Sequence, residues 1–360
     1  MSFSSVISAH LPGMARTIAF GTLLLATAGC GAKNSPSESA GTEPGPLANL
    51  QPAQDMAAYR AMSEQLYRLD QEAIKAELAA AGLEKSTKPP KAKLFGFDIE
   101  KAVSDAGFIA SVEGQALADS LLTFQTPSGG WSKRTDMRTP RQPGQTFGTE
   151  KNYVPTFDNA ATSTQFWVMA NACNALKDSR YCDSASRALN YILLAQYPNG
   201  GWPQTFPLRG KYHDNITFND DAISNLLKVV GAAAEGDERL AFLSEASKAQ
   251  AKRSLKRALD MLVATQVNVN GEPTIWGGQH DPETLEPTSA RAFEPVALAT
   301  SESADLVRFL MTLEHPPENI RKARSKSSRP SIFVLPILMM ASPALRPALS
   351  AGLPGEAPEM

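Results

Sequence analysis

Cysteine, histidine, aromatic residues and surplus charge are all scarce in this chain, and each shortage closes off a class of function. The 360 residues include only 3 Cys, too few for a disulfide-built scaffold or a Cys-rich zinc site. The 4 His (His10, His213, His280 and His315) are scattered without metal-ligand spacing. Lys plus Arg is 35 against 37 for Asp plus Glu, so the formal net charge is −2. A dedicated nucleic-acid binder carries a basic surplus, so no nucleic-acid partner is expected. Strand signals are sparse. What remains is a chain 42% hydrophobic and 20% charged, an ordinary balance for one large domain or two small ones.

Both ends read as additions to the fold. Met14-Ala15-Arg16 gives a short basic start, and residues 18–28 form an apolar stretch too short to span a bilayer as a helix. Leu25-Ala26-Thr27-Ala28-Gly29-Cys30 then reads as a bacterial lipobox, so residues 1–30 are expected to be an export signal of lipoprotein type. Cys30 would carry a lipid anchor to the membrane; simple secretion is the alternative. The product would sit in the periplasm, on the outer membrane or outside the cell. Residues 31–55, rich in Ser, Pro, Gly, Glu and Ala, read as a flexible tether. Residues 56–92 begin with Tyr59, Met62, Leu66, Leu69 and Ile74 at roughly helical spacings, and read as a helical leader. The main domain is expected over residues 93–322. After residue 322 acids vanish until Glu356 and prolines break the remaining apolar run. Residues 323–360 are therefore expected to be an aberrant, out-of-frame or disordered tail.

The middle of the chain repeats itself. Gln125-Thr126-Pro127-Ser128-Gly129-Gly130-Trp131 returns as Gln196-Tyr197-Pro198-Asn199-Gly200-Gly201-Trp202. A decayed third copy runs from Gln266 through Asn270-Gly271 to Trp276, each about 70 residues after the last. The glycines suit left-handed turns that end the preceding helices. Helical stretches are expected at residues 160–176, 182–195, 221–234 and 243–266. Two helices per repeat imply stacked hairpins. The chain thus reads as mainly α, an (α/α)3 toroid incomplete at its C-terminal end, and as a monomer. Cys173 and Cys182 flank the link of one hairpin, close enough for a disulfide in an oxidising compartment.

Polar segments between these helices carry the candidate chemistry. They contain Lys133, Asp158-Asn159, Arg209, Asp220, His280 and Arg291. Carboxylates, amides, cations and aromatic faces together are what a charged sugar polymer needs. Each has a plainer reading. Asp158 and Asp220 stand where helix N-caps stand. Asn159 could shape a turn, Lys133 and Arg209 could be solvated, Arg291 could be a surface ion pair, and His280 could be a hydrogen-bonded loop residue. Trp131, Trp202 and Trp276 read as packing residues, with sugar platforms as the alternative.

Gly129-Gly130-Trp131-Ser132-Lys133, Phe157-Asp158-Asn159-Ala160-Ala161-Thr162 and the long run from Ala195 through Pro203-Gln204 to Ile216-Thr217-Phe218-Asn219-Asp220-Asp221-Ala222 resemble the family 10 pectate lyases. The likeness spans roughly residues 94–317. Ser132 departs from it, standing where the family often has Pro. The resemblance implies an (α/α)3 toroid and Ca2+-dependent β-elimination of de-esterified polygalacturonate. It puts the calcium-site and substrate-site aspartates at Asp158 and Asp220, both expected to bind the metal; Lys133, Asn159, Arg209 and His280, in the polar segments, are the candidate substrate contacts. It puts the catalytic arginine at Arg291, within Ala290-Arg291-Ala292-Phe293-Glu294-Pro295. Free guanidinium titrates above about pH 12, so side-chain chemistry alone ranks His280 near Arg291 as the base, and Arg291 could instead only clamp a carboxylate. An inactive homologue serving as a pectin-binding surface lipoprotein is the second reading. The repeat also resembles that of terpene cyclases, but 7% aromatic content and the lack of an Asp-rich run argue against such a pocket.

Overall fold

The computed structural model describes residue 47 and residues 50–93, 99–314 and 316–327. These belong to one of two compact units, Pro44–Met360; the other, Met1–Glu43, lies outside the described residues. So do the export signal, Cys30, most of the tether and everything after residue 327.

Ten helices account for most of the described chain. They are α1 (Met56–Ala81), α2 (Ile99–Ser104), α3 (Ala106–Ala110), α4 (Val112–Phe124), α5 (Ser163–Leu176), α6 (Ser179–Leu194), α7 (Ala222–Glu235), α8 (Glu245–Ala264), α9 (Thr300–Thr312) and α10 (Glu318–Ser327). The strands are two residues each. β1 (Ile216–Thr217) pairs antiparallel with β4 (Gln279–His280), and β2 (Asn268–Val269) with β3 (Glu272–Pro273).

The expected hairpins are α5/α6 and α7/α8, followed by α9/α10. Burial assigns their places. α5 and α7 are buried on nearly every side, from Ser163 to Cys173 and from Ala222 to Ala234. They are inner helices. α6 and α8 bury one apolar face each, with Leu189 and Ile192 or Ala258 and Leu262 inward, as outer helices do. The result is the (α/α)3 toroid. Cys173 at the end of α5 is joined to Cys182 in α6 by a disulfide, with the Cα atoms 4.8 Å apart.

The repeated motif has a mechanical role. Gln125, at the end of α4, donates to Gly129 O in its own turn and to Ser184 O in α6. Gln196, at the end of α6, does the same to Gly200 O and to Ser254 O in α8. Gln266, after α8, donates to Thr274 O, and to Ala323 O and Ser327 Oγ in α10. Each glutamine thus fastens its turn to the next outer helix. Trp131, Trp202 and Trp276 are fully buried, and each indole N–H donates to a carbonyl of the preceding outer helix at 2.8–2.9 Å. Gly129 and Gly200 have φ of +109° and +100°. A Cβ on Gly200 would lie 2.2 Å from Arg257 O, so glycine is needed there for both conformation and clearance. The third turn is stretched by the β2–β3 hairpin, which explains its weaker likeness to the others.

Two expected boundaries shift. α1 is part of the packed core rather than a leader: Tyr59 is fully buried and donates to Ala195 O at 2.7 Å. Asp70, also buried, accepts from Ser128 N at 2.8 Å and Ser128 Oγ at 2.7 Å, holding the first turn. At the other end α10 runs to Ser327, and its Ile320 and Ala323 are buried. Helical packing therefore passes residue 322, because the third glutamine needs α10 as its partner.

Candidate active site

Two short turns at the N-terminal ends of the inner helices build the site. Asp158–Ala160 precedes α5, and Asn219–Asp221 precedes α7. The turns are equivalent in the repeat, each following a buried phenylalanine, Phe157 or Phe218. Both carry consecutive left-handed residues, Asn159 (φ 53°) and Ala160 (φ 58°) in one, Asp220 and Asp221 (φ 55° each) in the other. Left-handed backbone outside glycine costs about 1–3 kcal/mol and gathers at functional sites. Neither turn spends its aspartate on capping, since neither α5 nor α7 has a side-chain N-cap bond. That removes the plainer reading of Asp158 and Asp220.

The two turns meet across a cleft of about 200 Å³ that brings Lys133, Asp158, Asn159, Asp220 and Arg291 together. Asp158 is buried and pairs through Oδ2 with Lys133 Nζ, which also lies 3.4 Å from Asn159 Oδ1 and 3.7 Å from the centre of the Tyr153 ring. Asp158 Oδ1 is buried without a hydrogen-bond partner. Burial pushes the Asp220 carboxyl up to about 6, helped by the neighbouring Asp158 carboxylate. Two carboxyls thus crowd one spot, with one buried oxygen unsatisfied. An oxygen-seeking cation would relieve both conditions. Asp158, Asp220 and the Asn159 amide oxygen could hold it, so these residues fit a calcium ion. No cluster of three or more His, Cys, Asp or Glu suited to a metal occurs among the described residues; the remaining ligands would have to come from elsewhere, such as a substrate carboxylate.

Arg291 sits at the cleft mouth, half exposed. Its Nε donates to Glu294 Oε2 at 2.7 Å, a second bond joins Nη2 to Glu294 Oε1, and its guanidinium lies 4.7 Å from the Phe293 ring centre. The Glu294 partnership raises its pKa.

Two expected substrate contacts lie elsewhere. His280 is fully buried; its Nε2 accepts from Gly277 N–H at 3.0 Å, which leaves Nδ1 to donate to Leu285 O at 2.8 Å. Burial lowers its pKa. With both nitrogens engaged inside the fold, it can neither touch substrate nor serve as the base. Arg209 faces away from the cleft, its Nη2 on Val154 O at 2.5 Å and its guanidinium 4.8 Å from the Tyr67 ring centre. Sequence reasoning passed over Tyr153 and Tyr212, whose hydroxyls meet at 3.0 Å in the cleft wall, and also Gln204, Gln279 and Glu294. Tyr153 and Tyr212 stand outside the repeated turn, so periodicity gave no signal for them. Glu294, three residues from Arg291, could have been found by its charge.

The sequence profile of pectic acid lyase matches residues 125–329, the span holding every one of these groups. The chain belongs to the pectic acid lyase family. Among solved structures it is similar to a family 10 polysaccharide lyase from Cellvibrio cellulosa, at 28% identity, covering 66% of this chain and 72% of that one, with a TM-score of 0.55. An Asp-to-Ala mutant of family 10 polysaccharide lyase from the same organism, in complex with trigalacturonic acid, matches at 29% identity over 64% and 72% of the two chains, with a TM-score of 0.54. Among curated proteins none matches. Membership of this lyase family agrees with the cleft geometry, in which paired carboxylates and an arginine face one another.

Proposed function

We propose that this protein is a calcium-assisted pectate lyase that cleaves de-esterified polygalacturonate by β-elimination. The observation that carries it is the meeting of Asp158 and Asp220 in one cleft, with a buried Asp158 oxygen unsatisfied, on a pectic acid lyase chain. The complex of the Cellvibrio mutant with trigalacturonic acid supports the substrate class.

Calcium, when bound by Asp158, Asp220 and Asn159, would stabilise negative charge on the uronate carboxylate. The chain's own residues do the rest. Lys133 holds Asp158 in place through its ion pair and keeps the Asn159 oxygen turned inward. Arg291, which lines the same cleft, is the group assigned to remove the C5 proton of a bound uronate. The C5–H electrons form the C4–C5 double bond, and the C4–O4 bond breaks. The departing oxygen takes a proton from water and becomes the new reducing-end hydroxyl. To accept the proton, Arg291 must first leave Glu294, because that carboxylate favours the charged guanidinium. Until then its planar fork suits a uronate carboxylate. The direct test is ultraviolet detection of unsaturated uronate from polygalacturonate, with and without chelator. Product formation that stops in chelator and returns with calcium is expected; cleavage indifferent to chelator would overturn the calcium assignment.

A further inference from the structure

We propose that the protein has a second uronate-binding pocket, distinct from the cleft, beneath α1. A cavity of about 320 Å³ opens there, with Tyr67 and Asp70 on one side and Lys88, Lys151, Val154 and Arg209 around it. Three of these six are cations. Asp70 is the only acid in the lining, and both its oxygens are already taken by Ser128. Lys88 and Lys151 are exposed and form no ion pair among the described residues. Arg209 lies over the Tyr67 ring with Nη2 on Val154 O, while its Nε is buried without a partner. A cavity so charged calls for an anion, and the planar guanidinium fork suits a carboxylate.

The apolar faces of Tyr67 and Val154 beside those cations suit a ring bearing a carboxylate better than a bare ion. The volume is at the small end of the ligand-pocket range, enough for one or two sugar rings. The pocket shares a wall with the cleft. In the turn Lys151–Tyr153, Lys151 lines the pocket and Tyr153 the cleft; Arg209 and Tyr212 divide in the same way. The α1 and Lys88 side precedes the family match at residues 125–329, so this pocket is partly built outside that match. Naming the anion as a hexuronate rests on the polygalacturonate reading above.

Calorimetric titration in chelator tests this, using the full chain, Asp220→Ala and the double variant Lys88→Glu/Lys151→Glu. The ligands are free galacturonate and polygalacturonate. We expect saturable binding in the wild type and in Asp220→Ala, weakened at least about tenfold in the lysine variant. Saturation by free galacturonate marks a product site; saturation of Asp220→Ala by the polymer alone marks a polymer site, and either supports the pocket. No saturation by either ligand, loss in Asp220→Ala, or unchanged binding in the lysine variant overturns it. Product formation measured in parallel separates the outcomes: cleavage without this binding sinks the pocket alone.

Discussion

At the scale of single residues, the proposed site rests on two carboxylates, one lysine and one arginine–glutamate pair that line one cleft. Asp158→Ala or Asp220→Ala should leave the far-ultraviolet circular dichroism spectrum unchanged and abolish calcium-dependent cleavage, because neither side chain caps a helix. Calcium dependence unchanged in both variants would refute the metal assignment. Arg291→Ala should lower kcat by roughly 100–10,000-fold, the range for loss of a general base, and Arg291→Lys should not restore it, since an ammonium lacks the planar fork. Glu294→Gln offers a sharper test. Removing the carboxylate that raises the Arg291 pKa should move the rising limb of the pH–rate profile to lower pH, since a base acts only once deprotonated. An unmoved limb would leave Arg291 a clamp and not a base. That the aspartates and Arg291 share one cleft was legible in the sequence because they sit in motifs that resemble a known family's. The misplacement of His280 and Arg209 has a physical cause. Motif proximity says that a residue is near the cleft, but the backbone path decides which side of a wall it faces.

At the scale of elements, the helices were legible because the repeat has a strong period and glycine punctuation. Expected helices at residues 160–176 and 221–234 became Ser163–Leu176 and Ala222–Glu235. The early residues of each went instead to the left-handed turns that carry the aspartates, a distortion that no helical periodicity records. The Cys173–Cys182 disulfide is present as expected. Cys173→Ser with Cys182→Ser should lower stability by about 2–3 kcal/mol, read from denaturant unfolding; equal midpoints with and without reductant would count against a role for it. The packing of α1 was not legible, because an amphipathic stretch looks the same whether it leads to a domain or lies within it. Its Asp70 has a measurable signature. Burial pushes this carboxyl from 3.8 up to about 6. Between these values the folded protein keeps a proton that the unfolded chain has lost. The resulting stability is fully present below about pH 4 and is lost as pH rises through about 6, by roughly 2–3 kcal/mol. Asp70→Asn should flatten the melting temperature across that window while keeping a bond to Ser128.

At the scale of the whole molecule, the expected toroid is present, and the contact between Gln266 and α10 carries it beyond residue 322. The three glutamines also bear on how the ring comes apart. Each belongs to one turn but grips a helix about 60 residues further on, so neighbouring units are linked like overlapping shingles. In a nearest-neighbour picture of repeat folding, such links place coupling energy between units and not within them. Local fraying of α8 would release Gly200 along with Ser254, loosening the turn that precedes α7. Slow amide exchange should therefore be lost in blocks that cross repeat boundaries. The cleft, whose halves hang from two such units, would lose its facing carboxylates in the same cooperative opening.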